Sequence, residues 1–370
     1  VRLLVDLLND YEFLSEGDRS RAVASFLTPA LKFSGFINGP IPIDVAEADD
    51  SQAGKSFRQT LVPALYNHQM AIVTTTSRGV GSIDESIDGQ LIKGSPFIQI
   101  DNLRGKLNSQ RLESIITASG EYSARAAYTR NTTVDTSKFM FFISSNGFEA
   151  TIDLANRSSI IRQRRRPGHQ WRTFEGRNLR DHIRANLPRY QGAVVAVVRA
   201  WHQQGKRQTA TTAHSFQSWA QILDWIVQNL FRLAPLLDGM SAAQARVTSP
   251  QLSFLRQVVL RWVAMPRHTD TLTATMIFTF CDDEGIEIPG LRATNNEQAA
   301  AQQVGRVMGA LFREGCTVEV EGYRVTRHND HTQTGNDNNT QVKTYRIERL
   351  NGRPLWPEQP AQLMPLPLAA

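Results

Sequence analysis

A lysine and a serine stand directly behind a glycine in the stretch Asp49-Asp50-Ser51-Gln52-Ala53-Gly54-Lys55-Ser56. The apolar run Ile41-Pro42-Ile43-Asp44-Val45 precedes it, and a helix-like segment from Phe57 to His68 follows. Strand, tight loop and helix make a setting in which backbone N–H groups and a helix start turn partial positive charge towards phosphate oxygens. In that chemistry Ser51, Gln52, Ala53 and Gly54 wrap the phosphates, Lys55 meets the β- and γ-phosphates, and Ser56 ligates Mg²⁺. One position departs from the usual pattern: Asp49 occupies the place of the first glycine. A carboxylate beside phosphates is unfavourable unless it turns away or caps the loop. A polar turn that merely caps a helix is the plainer alternative for the same string.

Other residues supply what such a loop needs. Ser95 to Asn102 reads as an apolar strand ending in an acid, so Asp101 is the expected second ligand of Mg²⁺ beside Ser56. Asn102 stands where a glutamate would polarise the attacking water, which leaves Glu85, next to Asp84 on a helix expected over Ser82 to Leu91, as the nearest replacement base in sequence. An ordinary solvated helix face is the alternative for that pair. The strand Lys138 to Ser145 ends at Asn146-Gly147, where a side-chain amide can sense a γ-phosphate or simply begin a turn. Downstream, Arg157, Arg162, Arg164, Arg165 and Arg166 are dense enough for two uses: one arginine reaching a neighbouring subunit's phosphoryl group, others touching nucleic-acid phosphates. For Arg164 to Arg166 a solvated basic edge competes with both.

The elements that must position these groups follow from periodicity. Helical spacing of Leu3, Leu4, Leu7 and Leu8, then of Ala22, Val23, Phe26 and Leu27, predicts two lead-in helices broken at Ser15-Glu16-Gly17-Asp18. Met70 to Thr75 and Ala124 to Tyr128 read as further short strands, and Leu107 to Ala118 as a helix. From Gly176 to about Leu237 the pattern is helical, with Trp201, Trp219 and Trp225 as core. The last region reads as three helices, Leu252 to Val263, Thr273 to Glu284 and Glu297 to Phe312, then two strands, Cys316 to Thr326 and Gln341 to Leu350. A polar loop, His328 to Thr340, is expected between the strands. This is the order of a winged helix, whose third helix enters a major groove while its hairpin touches the backbone. Arg306 on the third helix and Arg327 and Lys343 on the hairpin are the expected DNA contacts there. The reading is thus α/β, in segments 1–35 (helical lead-in), 36–175 (P-loop core), 176–245 (helical), 246–350 (winged helix) and 351–370 (disordered tail).

Composition bounds the rest. A chain of 370 residues, 41% hydrophobic and 21% charged, has room for two or three cores. No apolar run approaches the roughly 18 to 20 residues of a membrane span, and no signal-peptide pattern opens the chain, so the expectation is a cytoplasmic protein without a membrane partner. The opening Val1 reads as the start of a fragment. Cys281 and Cys316 lie far apart without metal-ligand companions and are expected as buried thiols. A formal charge of +6 favours a polyanionic partner.

Taken in order, Ala53-Gly54-Lys55-Ser56, Ile100-Asp101-Asn102, Ser145-Asn146, Asp153-Leu154-Ala155-Asn156-Arg157 and Arg172-Thr173-Phe174 resemble the AAA+ ATPase module of phage, plasmid and integrative-element replication proteins. These are the helicase parts of primase–helicase and primase–polymerase proteins, related to superfamily III helicases. The stretches from Leu187-Pro188-Arg189-Tyr190 to Ala200-Trp201, and Ser215 to Trp219, are similar to the helical segment that follows that core. The resemblance implies ATP and Mg²⁺ as cofactors, with Lys55 and Ser56 at phosphate and metal, Asp101 at metal and Asn146 as sensor. It further implies Arg157 as an arginine finger acting in trans, Arg162 as a second, and hence a homo-oligomeric ring, a hexamer by expectation. An Asp-Asn pair at Asp101-Asn102 is usual in that group. The function expected is an ATP-dependent DNA helicase or translocase of a replicating mobile element or phage, with Arg104 and Lys106 facing single-stranded DNA in a channel. Duplex DNA and a primase or polymerase, upstream or in trans, are the further partners implied. Two other readings stay open: an ATP-switched initiator or loader that binds duplex DNA without unwinding it, and an ATP-binding scaffold that does not hydrolyse.

Overall fold

The computed structural model describes residues 1–48, 53–73, 82–103, 106–118, 120–125, 131–166, 168–265, 269–291, 296–312, 315–320, 322–334 and 338–356, with only the backbone given at 330–334 and 338–341. It divides into two compact units, Val1–Thr248 and Ser249–Ala370. The segments expected as separate lead-in, core and helical domains lie together in the first unit, because one apolar core takes Leu4 and Phe26, Leu61 and Leu65, Phe142 and Ile161, and Trp201, Trp219 and Ile226.

The first unit opens with α1 (Arg2–Asp6), β1 (Glu12–Phe13) and α2 (Glu16–Phe33). The expected break at Ser15 to Asp18 is instead the start of α2. The Ser15 hydroxyl accepts the Asp18 N–H at 3.1 Å and donates to the Asp18 carboxylate at 2.7 Å, so this polar cluster caps a helix that then runs 18 residues. There follow β2 (Ile43–Ala48), α3 (Lys55–Leu65), β3 (Ala71–Val73), α4 (Ile83–Ile92), β4 (Phe97–Leu103), β5 (Lys106–Leu107) and α5 (Gln110–Thr117). Next come β6 (Glu121–Ala124), β7 (Thr132–Asp135), β8 (Met140–Ser145), β9 (Glu149–Ala150), α6 (Ile152–Asn156) and β10 (Ser158–Arg164). Four helices end the unit: α7 (Leu179–Ala185), α8 (Leu187–Gln203), α9 (Gln217–Asn229) and α10 (Met240–Thr248). Most of the strand expected over Ala124 to Tyr128 lies outside the described residues; β6 and β7 on either side of it pair as an antiparallel hairpin outside the main sheet.

The main sheet runs β1-β10-β2-β8-β4-β3, parallel throughout except for β1. Its central strands are buried on both faces. On β8, Phe142 joins the core under α2, α3 and α9, while Phe141 and Ile143 join a second core with Ile87, Leu112, Leu154 and Met240. Helices on both faces explain why β2 and β8 lack polar alternation. The consequence for function is topological: β8 lies between β2 and β4, so the C-terminal ends of three adjacent strands open on one edge of the sheet.

Two groups of buried polar residues hold this layout. Arg58 on α3 donates to Asp44 on β2 at 2.5 Å, and Gln59 donates to the Asp44 carboxylate at 2.8 Å and the Ile143 carbonyl at 3.0 Å. His214 is buried, receives the Phe216 N–H on Nδ1 at 3.0 Å, and sets Nε2 3.4 Å from the Ser158 carbonyl. Burial lowers its pKa from 6.5 to about 4. The folded state therefore favours the neutral ring, and the associated stability is complete above pH 6.5 and is lost as pH falls towards 4. We expect urea unfolding between those pH values to lose about 1.4 kcal/mol per pH unit relative to His214→Asn, whose profile lacks this contribution. Parallel profiles for the two proteins would contradict the assignment.

The second unit comprises α11 (Pro250–Ala264), β11 (Thr271–Thr273), α12 (Ala274–Glu284), α13 (Glu297–Leu311), β12 (Thr317–Val320), β13 (Tyr323–Thr334) and β14 (Asn338–Arg349). Its sheet is antiparallel in the order β11-β14-β13-β12 and covers a core of Val259, Phe280, Val304, Phe312 and Tyr345. The polar stretch expected as a loop from His328 is mostly strand, with register from Tyr323↔Arg349 to Thr334↔Asn338. Backbone ladders need no apolar side chain where a hairpin stands in water, so alternation was a poor guide there. Two smaller expectations also change. Cys316 is exposed, just before an edge strand, and Leu355, in the segment expected as a disordered tail, packs into the core. Among the described residues no helix is long and apolar enough to cross a membrane.

Candidate functional site

Gly54 is the N-cap of α3 and takes a left-handed conformation, φ 79°, that few residues other than glycine adopt. A Cβ there would lie 2.4 Å from the Trp171 indole, a second reason for glycine. The turn delivers Lys55 and Ser56 into the first turn of α3, at the C-terminal end of β2. Lys55 Nζ donates to Asn146 Oδ1, just beyond β8. The Ser56 hydroxyl donates to Asp101 Oδ1 at 2.6 Å, the Ser144 hydroxyl donates to the same oxygen at 2.6 Å, and the two hydroxyls stand 3.1 Å apart.

Asp101 reaches this position through a bulge. Between Ile100↔Ile143 and Leu103↔Ser145, two residues of β4 oppose one of β8. Asn102 absorbs the extra length at φ 52°, and its N–H binds the Ser144 hydroxyl at 2.8 Å. Ser144 thus fixes both members of the Asp-Asn pair. Nothing in its own neighbourhood of the sequence marks it for that task.

The other expected residues are distributed as follows. Glu85 is in the first turn of α4, its N–H bound to the Ser82 hydroxyl, and the neighbouring Asp84 accepts from Ser109 at the start of α5. Arg162 lies in β10 opposite Glu47 and pairs with Asp18 of its own chain at 3.6 Å, 17% exposed, which differs from the open position expected of a residue reaching a neighbour. Arg157 caps α6 before β10, and no partner engages its guanidinium among the described residues. Since Ser158 pairs with Ile43, Arg157 stands at the opposite end of the strands from Lys55, about 16 Å away by strand rise. Lys106 is exposed on β5. Asp49, Ser51, Gln52 and Arg104 lie outside the described residues.

Sequence reading missed three features beside this edge. An apolar cavity of about 410 Å³ is lined by Tyr11, Gly54, Phe57, Trp171 and Leu179, with Asp10, Arg172 and Asn178 at its polar margin. A basic cavity of about 250 Å³, lined by Ala53, Arg164, Arg165, Arg166 and His169, shares Trp171 and Asp10 with it. Arg172 holds the strap carrying Trp171 by donating to both Asp10 oxygens at 2.9 Å. The third feature is Glu47, fully buried in β2, which accepts from Arg246 of α10 at 2.5 Å and from the Phe148 N–H at 3.2 Å. All three join residues far apart in the chain, where no local spacing can signal them.

In the second unit Arg306 and Lys343 line one open cleft of about 660 Å³ with Gln298 and Gln302. Arg327 is not among its lining residues. Its guanidinium lies 5.8 Å from the centre of the Phe312 ring, and its strand position pairs with buried Tyr345.

No protein-family model matches the sequence, and no curated protein matches it. Among solved structures the chain is similar to the apo NrS-1 C-terminal region, at 10% identity and TM-score 0.37, over 94% of this chain and 75% of that one. It is also similar to an SCCmec type IV Cch described as an active helicase, at 12% identity and TM-score 0.32, over 95% and 69%. A third is a JCV helicase with a phenylacetamide compound bound, at 11% identity and TM-score 0.28, over 62% of this chain and 65% of that one.

Proposed function

We propose that the first unit is an ATPase of the AAA+ type and that the protein couples ATP turnover to DNA. The observation that carries this reading is the convergence of Lys55, Ser56, Asp101 and Asn146 at the ends of three adjacent parallel strands. Four residues drawn from three separate segments meet in the arrangement that phosphoryl transfer requires: a cation and a helix N-terminus for the phosphates, oxygen donors for a metal, and an amide at the reacting end.

The donor set fits Mg²⁺. A hydroxyl and a carboxylate oxygen 2.6 Å apart, with Asp101 also held by Ser144, are hard ligands of the kind that ion takes alongside phosphate oxygens and water. When bound, the ion would neutralise charge between the β- and γ-phosphates. Lys55 binds phosphate oxygens and offsets the negative charge that develops on them, and the α3 N-terminus orients the chain of phosphates. In this reading Asn146, which accepts from Lys55 here, holds the attacking water once phosphate takes the lysine.

Arg157 is too far from the site of its own chain to act there, so in this reading it completes the site of a neighbouring copy in a ring. The second unit, read as a winged helix, offers Arg306 and Lys343 to DNA phosphates along its cleft. Replication of a mobile element or phage, a hexameric ring and unwinding are parts of this proposal.

The test is phosphate release from ATP with and without single-stranded DNA. DNA-stimulated release is expected, and Arg157→Ala should bind ATP as the wild type does while losing at least about 100-fold in turnover, the scale of a removed charge stabiliser. Full turnover in Arg157→Ala would sink the trans role. ATP binding without release, with or without DNA, would point to a switch or scaffold.

A further inference from the structure

We infer that the apolar cavity beside Gly54 receives the base of the nucleotide, with Trp171 as its stacking face and the Tyr11 hydroxyl as its polar contact, and that it accepts purines and pyrimidines alike. The inference rests on the proposed ATPase reading and extends it from the phosphates to the base.

Position comes first. The cavity lies against the residue that caps α3, so a nucleotide whose phosphates meet Lys55 has its base directed at Tyr11, Phe57 and Trp171. Chemistry follows. A planar heterocycle wants flat apolar walls, and the Trp171 indole, 44% exposed and lining the cavity beside Gly54 and Tyr11, supplies one. Tyr11 supplies an independent sign of a missing ligand: it is 4% exposed, yet its hydroxyl has no hydrogen-bond partner among the described residues. A buried hydroxyl is rarely left unpaired unless something else satisfies it. Burial raises its pKa, so it stays protonated and can both donate and accept.

The tolerance for different bases follows from the margin of the cavity. Arg172 is committed to both Asp10 oxygens and to the Asp6 carbonyl. Asn178 is committed to Asp181, whose N–H it accepts at 3.0 Å and whose carboxylate it meets at 2.7 Å. These bonds tie the Arg172 and Asn178 side chains to the protein, and the Tyr11 hydroxyl is the buried polar atom of the lining without a partner among the described residues; it rotates to suit a donor or an acceptor. Stacking does not read base identity, because every base has a π-face.

The test compares Mg-ATP, Mg-GTP and Mg-CTP with Mg-tripolyphosphate, which lacks base and sugar, by calorimetry on the full chain. For wild type, ATP should bind roughly 10- to 100-fold more tightly than tripolyphosphate, and the three nucleotides should agree within about tenfold. In Trp171→Ala the advantage of ATP should collapse while tripolyphosphate binding is unchanged, and Trp171→Phe, which keeps a stacking face and guards against misfolding, should restore most of it. Equal binding of ATP and tripolyphosphate by the wild type overturns the base site and leaves the phosphate site standing. A preference for ATP above about 100-fold over the other nucleotides overturns the tolerance. Unaltered ATP binding in Lys55→Ala removes the phosphate site instead, and no binding of any probe removes both.

Discussion

Lys55→Ala is expected to lower phosphate release from ATP by at least about 100- to 1000-fold, because it deletes the one cation at the start of α3 that can follow charge onto the leaving phosphate. The side chain stands half-buried at the edge of the sheet and meets Asn146, so its removal opens no cavity in the apolar core. Thermal unfolding should therefore shift little, which separates loss of chemistry from loss of fold. Asp101→Asn is the companion experiment. It keeps shape but removes the charge on which the Ser56 and Ser144 hydroxyls converge, and its turnover should recover less with added Mg²⁺ than that of any variant outside this cluster. Turnover in Lys55→Ala close to wild type would show that Gly54-Lys55-Ser56 only caps a helix.

Arg21→Ala is expected to cost about 3–5 kcal/mol of stability, the range for breaking a buried ion pair from one side. Arg21 is fully buried. It donates to the Ile160, Leu236 and Asp238 carbonyls and to the Asp18 carboxylate, each at 2.8 Å. Truncation would strand those three carbonyls and leave Asp18 with Ser15 and Arg162 alone. Since a whole domain is stable by only about 5–15 kcal/mol, the loss should be visible as a large drop in the urea midpoint. A double variant, Arg21→Met with Asp18→Asn, should recover part of it, because no buried charge is then left unpaired. A shift under about 1 kcal/mol in Arg21→Ala would mean that water reaches the site and satisfies these groups.

The residues behind these two effects differ in how far their immediate neighbours mark them. Lys55, Ser56, Asp101 and Asn146 were readable because each is marked by its immediate neighbours: a glycine before a lysine, an acid closing an apolar strand, an amide before a glycine. Their adjacency was expected from the resemblance and not from local spacing, since it depends on β8 lying between β2 and β4. Arg21, Glu47 and Ser144 carried no mark at all. Each looks like an ordinary helix or strand residue until its partner, remote in sequence, is known.

The arginines show the same division. Arg157 and Arg162 belong to one basic stretch, and composition alone cannot tell them apart. Five residues along β10 then place them towards opposite ends of the sheet, one without a partner among the described residues and the other paired with Asp18. In the second unit Arg306, Arg327 and Lys343 were equally plausible surface cations, yet the strand register seats Arg327 over Phe312 and leaves Arg306 and Lys343 on the cleft.

By itself the sequence determined the α/β alternation, the glycine turn that opens α3 and the residue types that can meet phosphate and metal, because helix caps, turns and strand ends are decided among near neighbours. Tertiary structure alone decided the order of strands, the bulge that aims Asp101, the wall made by Tyr11 and Trp171, and the pairing of Arg162 with Asp18. Those outcomes depend on packing and pairing between segments separated by up to the length of the first unit. Local propensity carries no information about such partners, and burial selects among them only once the cores on both faces of the sheet have formed.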